Sequence, residues 1–172
     1  MSRQTPSKPL PYMQRMRDYY LALGYNNPYQ WAHFSDVPFQ PLSKPVTKSR
    51  VGLVTTAAPF KPEAGDQGPG APYNAAAKFY RVYAGDANKD DFLGISHVSY
   101  DRDYTTAEDI GSYFPLGALR KKQAQGIIGE VSPRYYGLPT NRSQDTTKHQ
   151  DCPDLLAMLQ DDEVDLAILV AN

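Results

Sequence analysis

Arg50-Val-Gly-Leu-Val-Thr-Thr-Ala57 is a short, continuous run of apolar and β-branched residues, entered from a charge and left through Ala58 and Pro59. It is too short for a core helix and has no polar alternation, so it reads as a strand buried on both faces, as in parallel sheets. A second run, Val164-Asp-Leu-Ala-Ile-Leu-Val170, has the same character and is the strongest strand signal in the chain. It too is expected to be buried, with Asn172 at its carboxyl end.

Working outward from these runs, the spacing predicts helices that alternate with strands. One helix is expected over Pro153–Leu159, with Asp151 as N-cap and Leu155, Leu156 and Leu159 as its buried face. Another is expected over Pro115–Gln125, carrying Leu116 and Leu119 inward and stopped by Gly126, after which Ile127–Val131 returns to the sheet. Shorter strands are expected at Phe79–Tyr83 and Phe92–Val98. The Gly/Pro loop Lys61–Asn74 follows the first strand, but its glycine spacing matches neither a P-loop nor a dinucleotide fingerprint. Such alternation implies right-handed crossovers. The expected fold is therefore α/β: a three-layer, Rossmann-like, mostly parallel sheet spanning residues 49–172.

Residues 1–48 are expected to form a helix and an aromatic, Pro-rich arm. Met13, Met16, Tyr20 and Leu23 fall at helical spacing within Pro11–Gly24, and Gly24 is placed to stop the helix. From Asn26 to Lys48 the prolines forbid a long helix or central strand, leaving a connector with one turn near Gln30–Phe34. The chain holds 13 Tyr and 15 Pro, and rings carried on extended segments suit either cover of the domain's own core edge or contact with another surface; a homo-oligomer is expected.

Composition excludes several classes of function. A net charge of −1 over 172 residues gives no basic field for nucleic acid or an anionic membrane, and no apolar run approaches a bilayer span or a secretory signal. A cytoplasmic location is the default. Cys152 is the sole cysteine, so any redox pair must be completed from outside this chain. As for metal, Asp101, Asp103, Glu108 and Asp109 form an acidic loop whose spacing fits no EF-hand, and none is expected there.

Thr55 and Thr56 end the first strand, where their hydroxyls could hydrogen-bond a small anionic or zwitterionic substrate at the crevice mouth or satisfy local backbone instead. His97 follows an apolar stretch, and its protonation range suits proton transfer near neutral pH. Arg134, Arg142 and the Tyr135-Tyr136 pair are candidates for recognising a carboxylate. Cys152, before Pro153 at the start of the expected helix, is placed where a helix N-terminus can lower a thiol pKa.

Several segments taken in order, Val51-Gly-Leu-Val-Thr-Thr56, Ser96-His97 with Tyr100-Asp101 and Phe114-Pro-Leu116, then Gly126-Ile-Ile-Gly129 and Tyr136-Gly137, resemble the selenoprotein B subunits of glycine, sarcosine, betaine and D-proline reductases. The resemblance runs from about Val51 to the C-terminus. It implies an oxidoreductase subunit that, with partner reductase subunits or a thiol reductant, reductively cleaves a C–N bond. By the same resemblance His97 would be catalytic, and Thr55, Thr56, Ser96, Tyr100 and Asp101 would bind substrate. The family's selenocysteine-x-x-cysteine or Cys-x-x-Cys pair would begin just past Asn172, so this chain alone is expected to be inactive in reduction. A UGA codon, processing next to a cysteine, deliberate truncation or a short paralogue would each leave such an end. The alternative reading is a non-catalytic small-molecule-binding or assembly module that oligomerises through its aromatic arm.

Overall fold

The computed structural model describes residues 11–27, 30–59, 81–95, 108–139 and 143–171. The chain divides into two compact units, Met1–Val37 and Pro38–Asn172. In the first, α1 (Tyr12–Ala22) forms where the helical spacing placed it. It ends in a Schellman motif: Gly24 has φ +86°, its N–H bonds to Leu21 O, and the Tyr25 N–H reaches Tyr20 O. The Arg17 guanidinium lies 5.5 Å from the Trp31 ring centre. Gln30–Phe34 runs without the expected turn.

In the second unit β1 (Arg50–Thr55) is the middle of the sheet, buried along almost all of its length as expected. On one side β5 (Glu130–Val131) and β6 (Arg134–Gly137) lie in line and parallel to it. Their registers, Val51↔Val131 and then Val54↔Tyr136, differ by two residues, which are accommodated by a bulge at Ser132-Pro133. A proline is tolerated there because no ladder N–H is required. On the other side β7 (Leu166–Val170) pairs in parallel over its whole length, from Val51↔Leu166 to Thr55↔Val170. Strand β3 (Tyr83–Asp86) runs antiparallel to β6, making the sheet mixed although mostly parallel. A separate ribbon pairs β2 (Ala58–Pro59) with β4 (Leu93–Gly94).

The two faces of β1 feed two clusters. Val51 and Leu53 pack with Tyr113, Phe114, and Leu116 and Leu119 of α2 (Leu116–Ala124). Val54 packs on the other face with Tyr136, Leu155, Met158 and Leu159. Cross-strand contact between β3 and β6 depends on two glycines: the Tyr83 ring lies over Gly137 and the Tyr135 ring over Gly85, each where a Cβ would collide with it. Tyr83 and Tyr135 meet edge to face, with ring centres 6.2 Å apart.

Several expectations are corrected. The final strand is not buried: Leu169 is 68% and Ile168 36% exposed, because β1 takes the central position and β7 has no second neighbour among the described strands. The last helix begins at Gln144, not Pro153. Ser143 caps α3 (Gln144–Thr146) by accepting from Thr146 N at 3.1 Å, and a π segment (Thr147–Asp151) carries the chain on into α4 (Cys152–Asp161). Pro153 brings no N–H and crowds the preceding turn, and the wider π turn directly before it relieves that conflict. Asp151 is therefore helical and caps nothing, and Cys152 is an exposed residue within a helix rather than at its start. Leu156 is 54% exposed; the inward face is Leu155, Met158 and Leu159, at the i, i+3, i+4 spacing. Strand β3 begins at Tyr83, where the expected strand was to end, and the β4 ladder covers only Leu93–Gly94; residues 79–80 and 96–98 lie outside the described set. The loop Lys61–Asn74 also lies outside it.

Candidate functional site

The carboxyl ends of β1, β6 and β7 lie side by side and set the candidate site. Thr56 N–H donates to Val170 O at 3.3 Å and Leu138 N–H to Thr55 O at 2.8 Å, which carries the ladder to the rim of the sheet. At this rim the Thr55 hydroxyl donates to Tyr113 O at 2.9 Å and accepts from Ala57 N at 3.1 Å. The residue is 1% exposed, so its hydroxyl serves the fold locally. Thr56, the next residue, is half-buried and stands nearer solvent.

An aromatic wall backs the rim. Tyr83 donates to Ala57 O at 2.8 Å, Tyr113 donates to Leu93 O at 3.2 Å, and Phe114 packs edge-on against Tyr135 with ring centres 4.7 Å apart. Tyr135 donates to Asp91 Oδ2 at 2.6 Å. Burial first, and the nearby Asp91 carboxylate second, push the hydroxyls of Tyr83 and Tyr135 far above the usual phenol range, so both are donors at any physiological pH. They act as fixed supports of the strand end. Sequence reasoning missed Tyr83, which stands in no motif, and named Tyr135 as a candidate receptor for a ligand's carboxylate, whereas it holds the internal carboxylate of Asp91. The one local signal is that each belongs to a tyrosine–glycine pair, with its glycine on the facing strand.

The opposite, amino-terminal end of the sheet is a charged network. Asp162 accepts from Arg134 Nε at 2.7 Å and from the Tyr136 hydroxyl at 2.5 Å, and Tyr136 in turn accepts from Ser132 Oγ at 2.9 Å. Arg50 donates to Glu130 at 2.8 Å and to Asp162 O at 2.6 Å, and its backbone N–H reaches Asp165 Oδ2 at 2.7 Å. Burial raises the Asp162 pKa, but the hydrogen bonds from Arg134 and Tyr136 outweigh it and hold the carboxyl below its usual range. The candidate carboxylate receptor Arg134 thus already holds an internal carboxylate. A cleft of about 450 Å³ opens at this end between Arg50, Asn88, Arg120 and Glu130. Its arginines are committed, since Arg120 bonds Ala87 O, Asp90 and Lys89 O. Size alone does not make this cleft the site, since open α/β sheets generally bind ligands at the carboxyl ends of their parallel strands.

Of the residues expected at the site, Thr55 and Thr56 stand at the rim of β1. Ser96, His97, Tyr100 and Asp101 lie outside the described residues, as does Arg142. His33 is exposed, and the exposed His149 stands 3.4 Å from Asp145, one turn earlier on its helix. Asp109 of the acidic loop accepts from Gly111 N at 2.9 Å and caps a short 3₁₀ turn. Among the described residues no group of three or more His, Cys, Asp or Glu is placed to hold a metal ion. None of their helices is long and apolar enough to cross a membrane.

Fold and rim together define a mixed α/β domain in which the carboxyl ends of three parallel strands, β1, β6 and β7, lie side by side. The chain belongs to the glycine/sarcosine/betaine reductase selenoprotein B family, whose model matches residues 22–172. The match takes in the aromatic connector as well as the region from Val51 onward that carried the resemblance. A curated relative, the glycine reductase complex component B subunit gamma of Symbiobacterium thermophilum, is 25% identical over 152 residues, which are 86% of this chain and 34% of that protein. The chain thus spans about a third of that relative's length. No solved structure matches it.

Proposed function

We propose that the chain is part of a selenoprotein B-like reductase subunit that reductively cleaves the C–N bond of a small amine or amino acid derivative of the glycine, sarcosine, betaine or D-proline type. The observation that carries this reading is the family match over residues 22–172, supported by the likeness to a glycine reductase component. In this reading the sheet is the core of a three-layer, Rossmann-like domain, and substrate lies at its carboxyl rim. Thr56, Ser96, Tyr100 and Asp101 orient the zwitterion, while Thr55 holds the rim in place beneath them.

Reductive cleavage consumes two electrons and two protons. A selenol–thiol or dithiol pair, carried by polypeptide beyond Asn172, gives up the electrons and closes to a selenenyl sulfide or disulfide. A thiol reductant or partner subunit then reopens it. His97 delivers a proton to the departing amine. The protein works in the cytoplasm, where a thiol pool can keep such a pair reduced.

The test is the gene itself. Sequencing past the Asn172 codon is expected to find a UGA-x-x-Cys or Cys-x-x-Cys reading frame, and an ordinary stop without either would overturn the placement of the redox pair. The 172-residue chain alone is expected to give no reductive turnover of any of the four substrates.

A further inference from the structure

Among the described residues no strand pairs with the outer edge of β7, which leaves there a backbone hydrogen-bonding surface suited to association. Val170 O faces β1, where it accepts from Thr56 N, so by strand alternation Leu166 and Ile168 direct their backbone groups to β1 as well. Ala167 and Leu169 direct theirs outward. Edges that stay solitary are blunted by charge, proline or a bulge. The sequence Leu166-Ala-Ile-Leu-Val170 has no charge or proline, and its pairing with β1 is unbroken. It exposes large apolar side chains on both faces, Ile168 on one and Leu169 on the other.

We propose that β7 pairs with β7 of a second copy of this chain, in antiparallel register about a two-fold axis through Ile168, joining two sheets into one. The register is self-consistent. With the axis at residue 168, Ala167 faces Leu169 of the second copy and Leu169 faces its Ala167, so the outward-pointing groups meet as two hydrogen-bonded pairs. Ile168 meets its own copy as the closer, non-hydrogen-bonded pair. Each Leu169 is set beside the small Ala167, which leaves room for the larger side chain. No residue of the strand carries a charge, so no like-charge repulsion opposes self-pairing. This pairing does not rest on the reductase reading.

The test is the mass of the purified 172-residue chain by analytical ultracentrifugation across a dilution series, with amide hydrogen exchange read at residues 166–170. A dimer is expected, whose Ala167 and Leu169 amides are protected and lose that protection on dilution. Leu169→Lys is expected to weaken association by 100-fold or more, and Leu156→Lys, at another exposed leucine, to leave it within three-fold. Ala167→Pro removes one outward N–H that β1 does not use and is expected to dissociate the dimer without unfolding the sheet. A monomer at every concentration would overturn the proposal. So would a dimer that survives both β7 variants, or protection of Ala167 and Leu169 that does not change with dilution and hence comes from another part of the same chain.

Discussion

The two ends of β1 are built from different materials. At the amino end Arg50, Glu130, Arg134, Asp162 and Asp165 tie three strands and the end of α4 together through charge-assisted hydrogen bonds. At the carboxyl end the rim bonds are neutral, hydroxyl to carbonyl from Thr55, Tyr83 and Tyr113, and the aromatic backing behind them includes Tyr135, which donates to the Asp91 carboxylate. The difference separates two jobs. A charged end holds register and leaves little free to meet a ligand, whereas the carboxyl rim is supported from behind and ends its parallel strands in the uncharged Thr55, Gly137 and Val170.

The largest test breaks the charged end. Asp162→Ala leaves Arg134 Nε and the buried Tyr136 hydroxyl without their acceptor, and is expected to cost about 2–4 kcal/mol in denaturant unfolding. An effect under about 1 kcal/mol would show that the network is ornamental and that apolar packing alone sets the register.

Titration probes both ends without mutation. Asp162 and Asp165 are held below their ordinary range, the first by Arg134 and Tyr136 against the cost of burial, the second by Lys44 and the Arg50 N–H. A carboxylate whose folded pKa lies below its unfolded one adds stability above the unfolded value, and that stability is lost as pH falls through about 4 and below. The tyrosines act with the opposite sense. Tyr136 is pushed up to about 12, first by burial and then by its bond to Asp162, and Tyr83 and Tyr135 are raised further. Ionisation in the unfolded chain near pH 10 therefore draws stability away as pH rises from about 10 toward 12. Melting temperatures from pH 3 to 11 are expected to fall at both extremes, and Tyr136→Phe is expected to flatten the alkaline limb.

A smaller effect is expected at the neutral end. Thr55→Val keeps the shape of the strand and removes one buried donor–acceptor pair, leaving Tyr113 O and Ala57 N to find other partners. The expected loss is about 1–2 kcal/mol by thermal or denaturant unfolding. A much larger loss would mean that the two ends are equally essential to the fold, and would dissolve the division of labour.

What was legible in the residues follows the same division between local and distant causes. Strand β1 and helices α1 and α2 were readable because apolar runs, helical spacing and a glycine stop are all local. The tail of polar residues Gln144–Asp151 has no apolar period, and Pro153 imitates a helix start, so the helix was read as beginning nine residues late. Strand β6 was missed, and β3 was expected over Phe79–Tyr83 and lies over Tyr83–Asp86, because Gly85 and Gly137 look like turn residues; they are glycines because rings from the facing strand lie over them, a fact of pairing and not of neighbourhood. The run Leu166–Val170 was read correctly as a strand and wrongly as buried. The same five apolar residues fit the centre or the edge of a sheet, and only the pairing partners decide which. At the site, the position of Thr55 at a strand end was legible, whereas its bond to Tyr113, 58 residues away, was not.

The smallest effect sharpens the charged end where it touches backbone strain. Like α1 and α2, α4 closes in a Schellman motif, with Glu163 N–H bonding Gln160 O and Val164 N–H bonding Leu159 O. The first two helices place glycine at the left-handed position, Gly24 and Gly126, but α4 places Glu163 there at φ +52°. A side chain in that region costs about 1 kcal/mol relative to glycine. In return Glu163 Oε2 stands 3.2 Å from Arg50 Nη1, but its side chain is 84% exposed, and such pairs contribute a few tenths of a kcal/mol. Relief of strain outweighs the lost pair, so Glu163→Gly is expected to stabilise the chain by about 0.5 kcal/mol. Glu163→Ala, which loses the pair and keeps the strain, is expected to be neutral or slightly destabilising. If both variants lose stability equally, the Arg50 pair is the stronger of the two effects, and the charged network extends one residue further into solvent than its geometry implies.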